Sequence, residues 1–269
     1  MIDRAYQHPP IVLAVLEVRH LETAAVPADD VAEFRRLLKP VAPLYKTDVV
    51  THTDLQVLVT PDGATSPAVQ TNSQTVHRVY SRTREIAVTI GPGSLTVETC
   101  RYAGWDPLVE AVRLALRARL GRVDGVERIG LRYFDEIRIP RQEDPDWGRW
   151  VSPGLLAPRW VSPWPLLQQQ SVAHYAVNDG LDDLTFRYGA VNGPSTFQSR
   201  PHLARPDPGV GPYFLLDTDA SWRPKAGEPC PEPDIGEILA IATRLHGAAT
   251  AVFESSITDA LRQEVLNHA

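Results

Sequence analysis

The hydrophobic pattern of this chain changes period several times, and each change marks an element. "PPIVLAVLEVRH" opens as an unbroken apolar run and ends in alternation, with Val12, Ala14, Leu16 and Val18 on one face. That pattern predicts a strand over 11–20. "PADDVAEFRRLLKP" follows, with an Asp cap, Val31, Phe34, Leu37 and Leu38 at helical spacing, and Pro40 as a stop. Four short β-branched segments come next: "DLQVLVT", "TVHRVYS", "EIAVTIG" and "SLTVETC". Gly91-Pro92-Gly93 joins the last two as a turn. "WDPLVEAVRLALRARL" then predicts a helix with Asp106 as cap, Pro107 at its first position, and Leu108, Val112, Ala115 and Leu116 as its apolar stripe.

The same order of elements recurs. A strand over 128–139, "RIGLRYFDEIRI", leads into a tryptophan-containing helix, then "SVAHYAVN", "DLTFRYGA" and "YFLLDTDASW", and finally a long helix opening at Asp234. The recurrence lies in the order, not in residue identity. It predicts an α+β protein of two pseudo-repeated strand-helix-meander-helix units, 1–124 and 125–269, fused into one compact body. The units would pair their first strands in one mostly antiparallel sheet covered by helices. Asp234 and Glu237 have capping-box spacing, and Ile238, Leu239, Ala242, Leu245, Ala249, Val252 and Phe253 share one helical face. Ser256 with Asp259 predicts a break and a separate terminal helix. Pro/Gly-rich stretches at 60–74, 192–212 and 223–233 read as long loops.

Composition narrows the function classes. The 269 residues, 43% of them hydrophobic, suffice for one large core or two modest ones. The net charge of −6 comes from 33 acidic and 27 basic residues. They are interspersed, so there is no single-sign field for a phosphate backbone. Nucleic acid is therefore not an expected partner, although a duplicated saddle like that of the TATA-binding protein would fit the repeated order. Cys100 and Cys230 belong to no CxxC or Cys/His cluster, which suggests neither a zinc site nor a disulfide framework. The apolar run before Glu17 is too short for a signal peptide or a membrane span, so a cytoplasmic protein without membrane association is expected.

The central strand holds the most pointed chemistry. Strand geometry puts Ile129, Leu131, Tyr133, Asp135, Ile137 and Ile139 on one side, and Arg128, Gly130, Arg132, Phe134, Glu136 and Arg138 on the other. The adjacent carboxylates Asp135 and Glu136 therefore diverge and cannot act as a glycosidase-type pair. Glu136 has Arg132 and Arg138 on its own side, which fits a structural ion-pair ladder or a ligand-binding arginine face. Asp135 is the odd residue on an apolar face. Burying it requires a hydrogen-bond donor or a raised pKa, so it is either a satisfied core group or a functional carboxylate.

Other candidates have a plain structural alternative. His246 lies on the buried stripe of the last long helix, as a core or a catalytic histidine, and "THTD" sets His52 near Asp54 on what reads as a solvated loop edge. His77 and His174 lack a partner at metal-ligand spacing, so no metal is expected. "GPGSLT" carries Thr96 where a dinucleotide fingerprint needs its third glycine, and no GxxxxGK[ST], HExxH or GxSxG occurs. No cofactor is expected. Residues 147–167 repeat "RWVSP" and concentrate tryptophans, with Trp150, Trp160 and Trp164 as candidate contacts of a protein partner or a second copy. The alternative is a crossover whose tryptophans cover the end of the sheet.

"HPPIVLAVLEVRH", "RIGLRYFDEIRIP", "YFLLDTD" and "LHGAATAVFESSITDAL" together resemble a family of uncharacterised, sporadically distributed bacterial proteins. Its hallmarks fall on Pro9, Pro10, Glu17 and Arg19, on Arg128 to Tyr133, and on Leu245 and His246. Where that family usually has an amide after the aromatic pair of the central strand, this chain has Asp135. The resemblance brings no activity, cofactor or catalytic residue with it, but it associates the chain with bacterial defence or toxin–antitoxin-like settings. A non-enzymatic interaction or sensing protein is the expectation that results. The alternative is an enzyme or a binder of a small anionic ligand in a groove on the sheet face, using Arg132, Tyr133 and Glu136.

Overall fold

A computed structural model describes residues 6–59, 65–156 and 168–267, and their side chains outside 52–72. The chain runs β1 (Ile11–His20), α1 (Ala28–Leu38), β2 (Leu44–Val59), β3 (Thr65–Tyr80), β4 (Ile86–Ile90), β5 (Ser94–Thr99) and α2 (Trp105–Arg119). It continues with β6 (Val126–Ile137), α3 (Trp147–Trp150), β7 (Ser171–Val177), β8 (Asp182–Gly193), β9 (Gly211–Trp222), α4 (Ile235–Ser256) and α5 (Asp259–Leu261).

All nine strands join one open sheet in the order β2-β3-β4-β5-β1-β6-β9-β8-β7. Every pairing is antiparallel. The architecture is thus α+β, with β1 and β6 paired at its centre. Helices α1, α2 and α4 lie side by side over one face, where Leu16, Leu131, Phe214, Phe34, Leu116 and Leu245 share the main core. Each such fully buried side chain contributes about 1.5–3 kcal/mol relative to exposure.

The opposite face carries a smaller apolar cluster of Val12, Leu13, Ala87, Cys100, Phe197 and Leu203. It forms where the connection between β8 and β9 crosses the sheet. Val12 departs from the expected alternation because β1 has a bulge. Ile11 pairs with Asp135 and Leu13 with Phe134, leaving Val12 as the extra residue. The bulge turns Val12 away from Ala14, Leu16 and Val18, and it lies directly opposite Asp135.

Three further expectations change. Helix α1 is capped by Pro27 without a side-chain hydrogen bond, and Asp30 instead pairs with Arg119 of α2 at 3.1 Å. The stretch expected as a loop over 60–74 contains the start of β3, which begins at Thr65. The cap after α4 is Thr258, which accepts from the Leu261 amide, whereas Ser256 Oγ donates to the Val252 carbonyl at 2.7 Å. Asp234 does cap α4, accepting from the Glu237 amide at 2.7 Å. Among the described residues no helix is long and apolar enough to cross a membrane.

Candidate functional site

Two buried layers converge where β6 meets α4. From β6, alternation sends Tyr133 and Asp135 toward the helices. From α4, His246, Ala249, Thr250 and Phe253 recur at i, i+3, i+4 and i+7 and so face the same way. Residues 6–11 close the side. Together they wall a cavity of about 480 Å³.

The N-terminal wall is held at several points. Tyr6 Oη donates to Glu254 Oε1 at 2.8 Å, the His8 amide donates to the Leu266 carbonyl at 2.9 Å, and the Glu136 amide donates to the Pro10 carbonyl at 2.9 Å. Burial and the Glu254 carboxylate push the Tyr6 hydroxyl up to about 12, so it stays a donor at neutral pH. Glu254 also accepts from Arg262 Nε at 3.0 Å.

Inside the cavity Tyr133 Oη and His246 Nδ1 are hydrogen-bonded at 3.0 Å. The His246 ring stacks on Trp105, with centroids 4.4 Å apart and planes 7° apart. Tyr102 meets Tyr133 edge to face at 5.5 Å. Asp135 is 3% exposed and its Oδ1 has no hydrogen-bond partner among the described residues. Desolvation, and then the charge of Asp217, push its carboxyl up to about 8.

The other side of β6 is a paired surface. Arg132 grips Asp217 of β9 with two hydrogen bonds of 2.7 Å, and its guanidinium lies 4.2 Å over the Phe134 ring. Arg128 bridges Glu17 at 2.9 Å and Asp219 at 3.2 Å. Glu136 accepts from Ser195 Oγ at 2.8 Å, from the Thr196 amide and hydroxyl at 2.6 Å each, and from Arg138 Nη2 at 3.0 Å. Burial pushes Glu136 up, but the donors from Thr196, Ser195 and Arg138 outweigh it and hold the carboxyl below its ordinary value.

The sequence candidates thus separate. Arg132 and Glu136 share a face but not a bond: Arg138 takes Glu136, and Arg132 takes Asp217. Tyr133 lies on the opposite face with Asp135 and His246, so the sheet itself divides the proposed groove of Arg132, Tyr133 and Glu136. Trp150 is buried in the main core at the seam with α4 and α5, where the Ser152 amide donates to the Ser256 carbonyl and the Thr258 amide to the Trp150 carbonyl. Trp160 and Trp164, and the side chains of His52 and Asp54, lie outside the described residues.

Tyr6, Tyr102, Thr218 and Glu254 are additional cavity residues. Glu254 is eight residues after His246, a helical-face spacing that could have been read from sequence; Tyr6 and Tyr102 come from irregular segments with no period. Among the described residues no group of three or more His, Cys, Asp or Glu is placed to hold a metal ion. No protein-family model matches the chain, and no curated protein sequence is detectably similar to it.

Proposed function

We propose that this protein is a non-enzymatic sensing protein whose signal is a small organic molecule held between β6 and α4. One observation carries the reading: a cavity of about 480 Å³ with aromatic walls encloses a carboxyl that no described donor satisfies. A concave, mostly apolar site with a few convergent polar groups and a perturbed titratable residue is the usual form of a ligand pocket. The N-terminal segment, fastened by Tyr6 and His8, supplies an element that occupancy can shift, and contact with a protein partner through 147–167 belongs to the same reading.

Membership in the sporadically distributed bacterial family, with its defence-like setting, is part of this proposal, as is an origin by duplication. Support for the latter is that β1 and β6, each followed by a helix and a run of antiparallel strands, pair at the sheet centre.

The test is native mass spectrometry of the protein purified from its host, alongside Thr250→Phe, which projects a ring into the cavity. A small adduct on the parent protein, lost in the variant while its melting temperature stays within a few degrees, is the expected result. An adduct that survives Thr250→Phe places the ligand elsewhere and ends the proposal.

The hydrogen bond between Tyr133 and His246 beside Asp135 favours a second reading, acid–base catalysis on the bound molecule. Chemical conversion of the retained adduct by the parent protein, lost in His246→Gln with binding kept, would establish it in place of the first.

A further inference from the structure

Six buried carboxylates occur among the described residues: Asp30, Glu98, Asp135, Glu136, Asp182 and Asp217. Five of them hold an arginine. Asp30 pairs with Arg119 at 3.1 Å, Glu98 with Arg200 at 3.0 Å and Glu136 with Arg138 at 3.0 Å. Asp182 pairs with Arg244 at 2.7 Å and Asp217 with Arg132 at 2.7 Å. Asp135 has no such partner among the described residues, although it is as deeply buried as the rest. A buried carboxylate without a counter-charge costs several kcal/mol, and the chain meets that cost with arginine at every other described position of this kind.

Asp135 also differs in facing a cavity. Among the described residues no lysine or arginine lines that cavity, and the other described carboxylate there, Glu254, is already taken by Tyr6 and Arg262. The rings of Tyr6, Tyr102, Tyr133 and Phe253 supply the electron-rich faces that hold ammonium groups in other proteins.

We infer that the cavity takes a small organic cation, an amine or quaternary ammonium, whose charge sits against Asp135 where arginine sits beside the other buried carboxylates. The inference rests on the cavity reading and specifies its ligand.

Cation entry displaces the Asp135 proton: the neutral carboxylic acid and the cation become a carboxylate–cation pair, and one proton leaves to solvent. The groups facing Asp135 are Tyr133 on its own strand, Thr218 on β9 with Asp217 through the sheet, His246 and Glu254 on α4, Tyr6 on the N-terminal segment, and Tyr102. None of these described groups is a fixed cation, but His246 gains charge as pH falls and would oppose a cation in the same direction, so Asp135→Asn, which keeps His246, separates the two contributions. With the carboxyl at about 8 before binding, affinity for a permanent cation is expected to be about fifty-fold higher at pH 8 than at pH 6.

Calorimetry of the protein with benzyltrimethylammonium, benzyl alcohol and benzoate at the two pH values tests this. Expected are binding of the ammonium probe, release of close to one proton at pH 6, and loss of at least tenfold in affinity in Asp135→Asn. The pH response of the parent protein is expected to shrink in Asp135→Asn, which keeps His246; an unchanged response assigns it to the histidine and overturns the inference. Benzoate binding as well as the ammonium overturns the inference. Benzyl alcohol binding better than the ammonium, and weakening above pH 8, overturns the cation but keeps the cavity as a ligand site with Asp135 as a neutral donor. No binding of any probe up to its solubility overturns both the inference and the cavity reading.

Discussion

Asp135 and Glu136 share a peptide bond, yet their carboxyls meet opposite conditions on the two faces of β6. Their exposure is nearly equal, at 3% and 4%, and burial raises both carboxyls, so exposure alone does not distinguish them. Donors do. Glu136 receives hydrogen bonds from Ser195, Thr196 and Arg138, each worth about 1.5–3 kcal/mol to a charged group, and together they offset the loss of water. Asp135 receives none from the described residues, and burial pushes its carboxyl up to about 8, which favours the neutral acid at neutral pH. A buried carboxylate is therefore neither structural nor functional by its depth; its state follows from what the neighbouring layer presents.

The comparison breaks most visibly at Glu136. Glu136→Ala strips the acceptor from the Ser195–Thr196 turn and leaves Arg138 unpaired, and should cost about 3–5 kcal/mol in urea unfolding. Asp135→Asn, in contrast, should leave the protein as stable as its parent, or more so, at pH 8.

The pH profile sharpens the contrast. Asp135 is raised, so the folded state binds its proton more tightly than the unfolded chain, and its contribution declines as pH rises from about 4 to about 8. Glu136 is lowered, so its contribution is present at neutral pH and lost as pH falls through its folded-state value. Stability of Asp135→Asn relative to the parent should thus grow by about 1 kcal/mol per pH unit between 5 and 8, measured by chemical denaturation across that range. A pH-independent difference would mean that Asp135 is already ionised in the folded protein. The smallest effect is expected from Ser195→Ala, which removes one donor of several: about 0.5–1.5 kcal/mol, with Glu136 still ionised by carbon-detected NMR titration.

Some of this arrangement was legible in the residues. Alternation along 128–139 placed Asp135 and Glu136 on opposite faces, and Asp234 marked the start of α4. Strand β2 was read only in part because it is an edge strand: none of Leu44–Thr51 is buried, so no apolar alternation marks it. The bulge at Val12 was invisible because it depends on the register between β1 and β6, not on the composition of either.

The sequence by itself determined periods, the cap of α4 and the direction of each side chain from its own backbone, because these follow from geometry within a few residues. Which carboxylate would find an arginine was decided by the tertiary structure. Arg132 passed over Glu136, four positions away, for Asp217, 85 positions away, because β9 sets that carboxylate beside it. Charge state depends on the donors and dielectric within a few ångströms, and those are assembled from distant segments by strand register and helix docking.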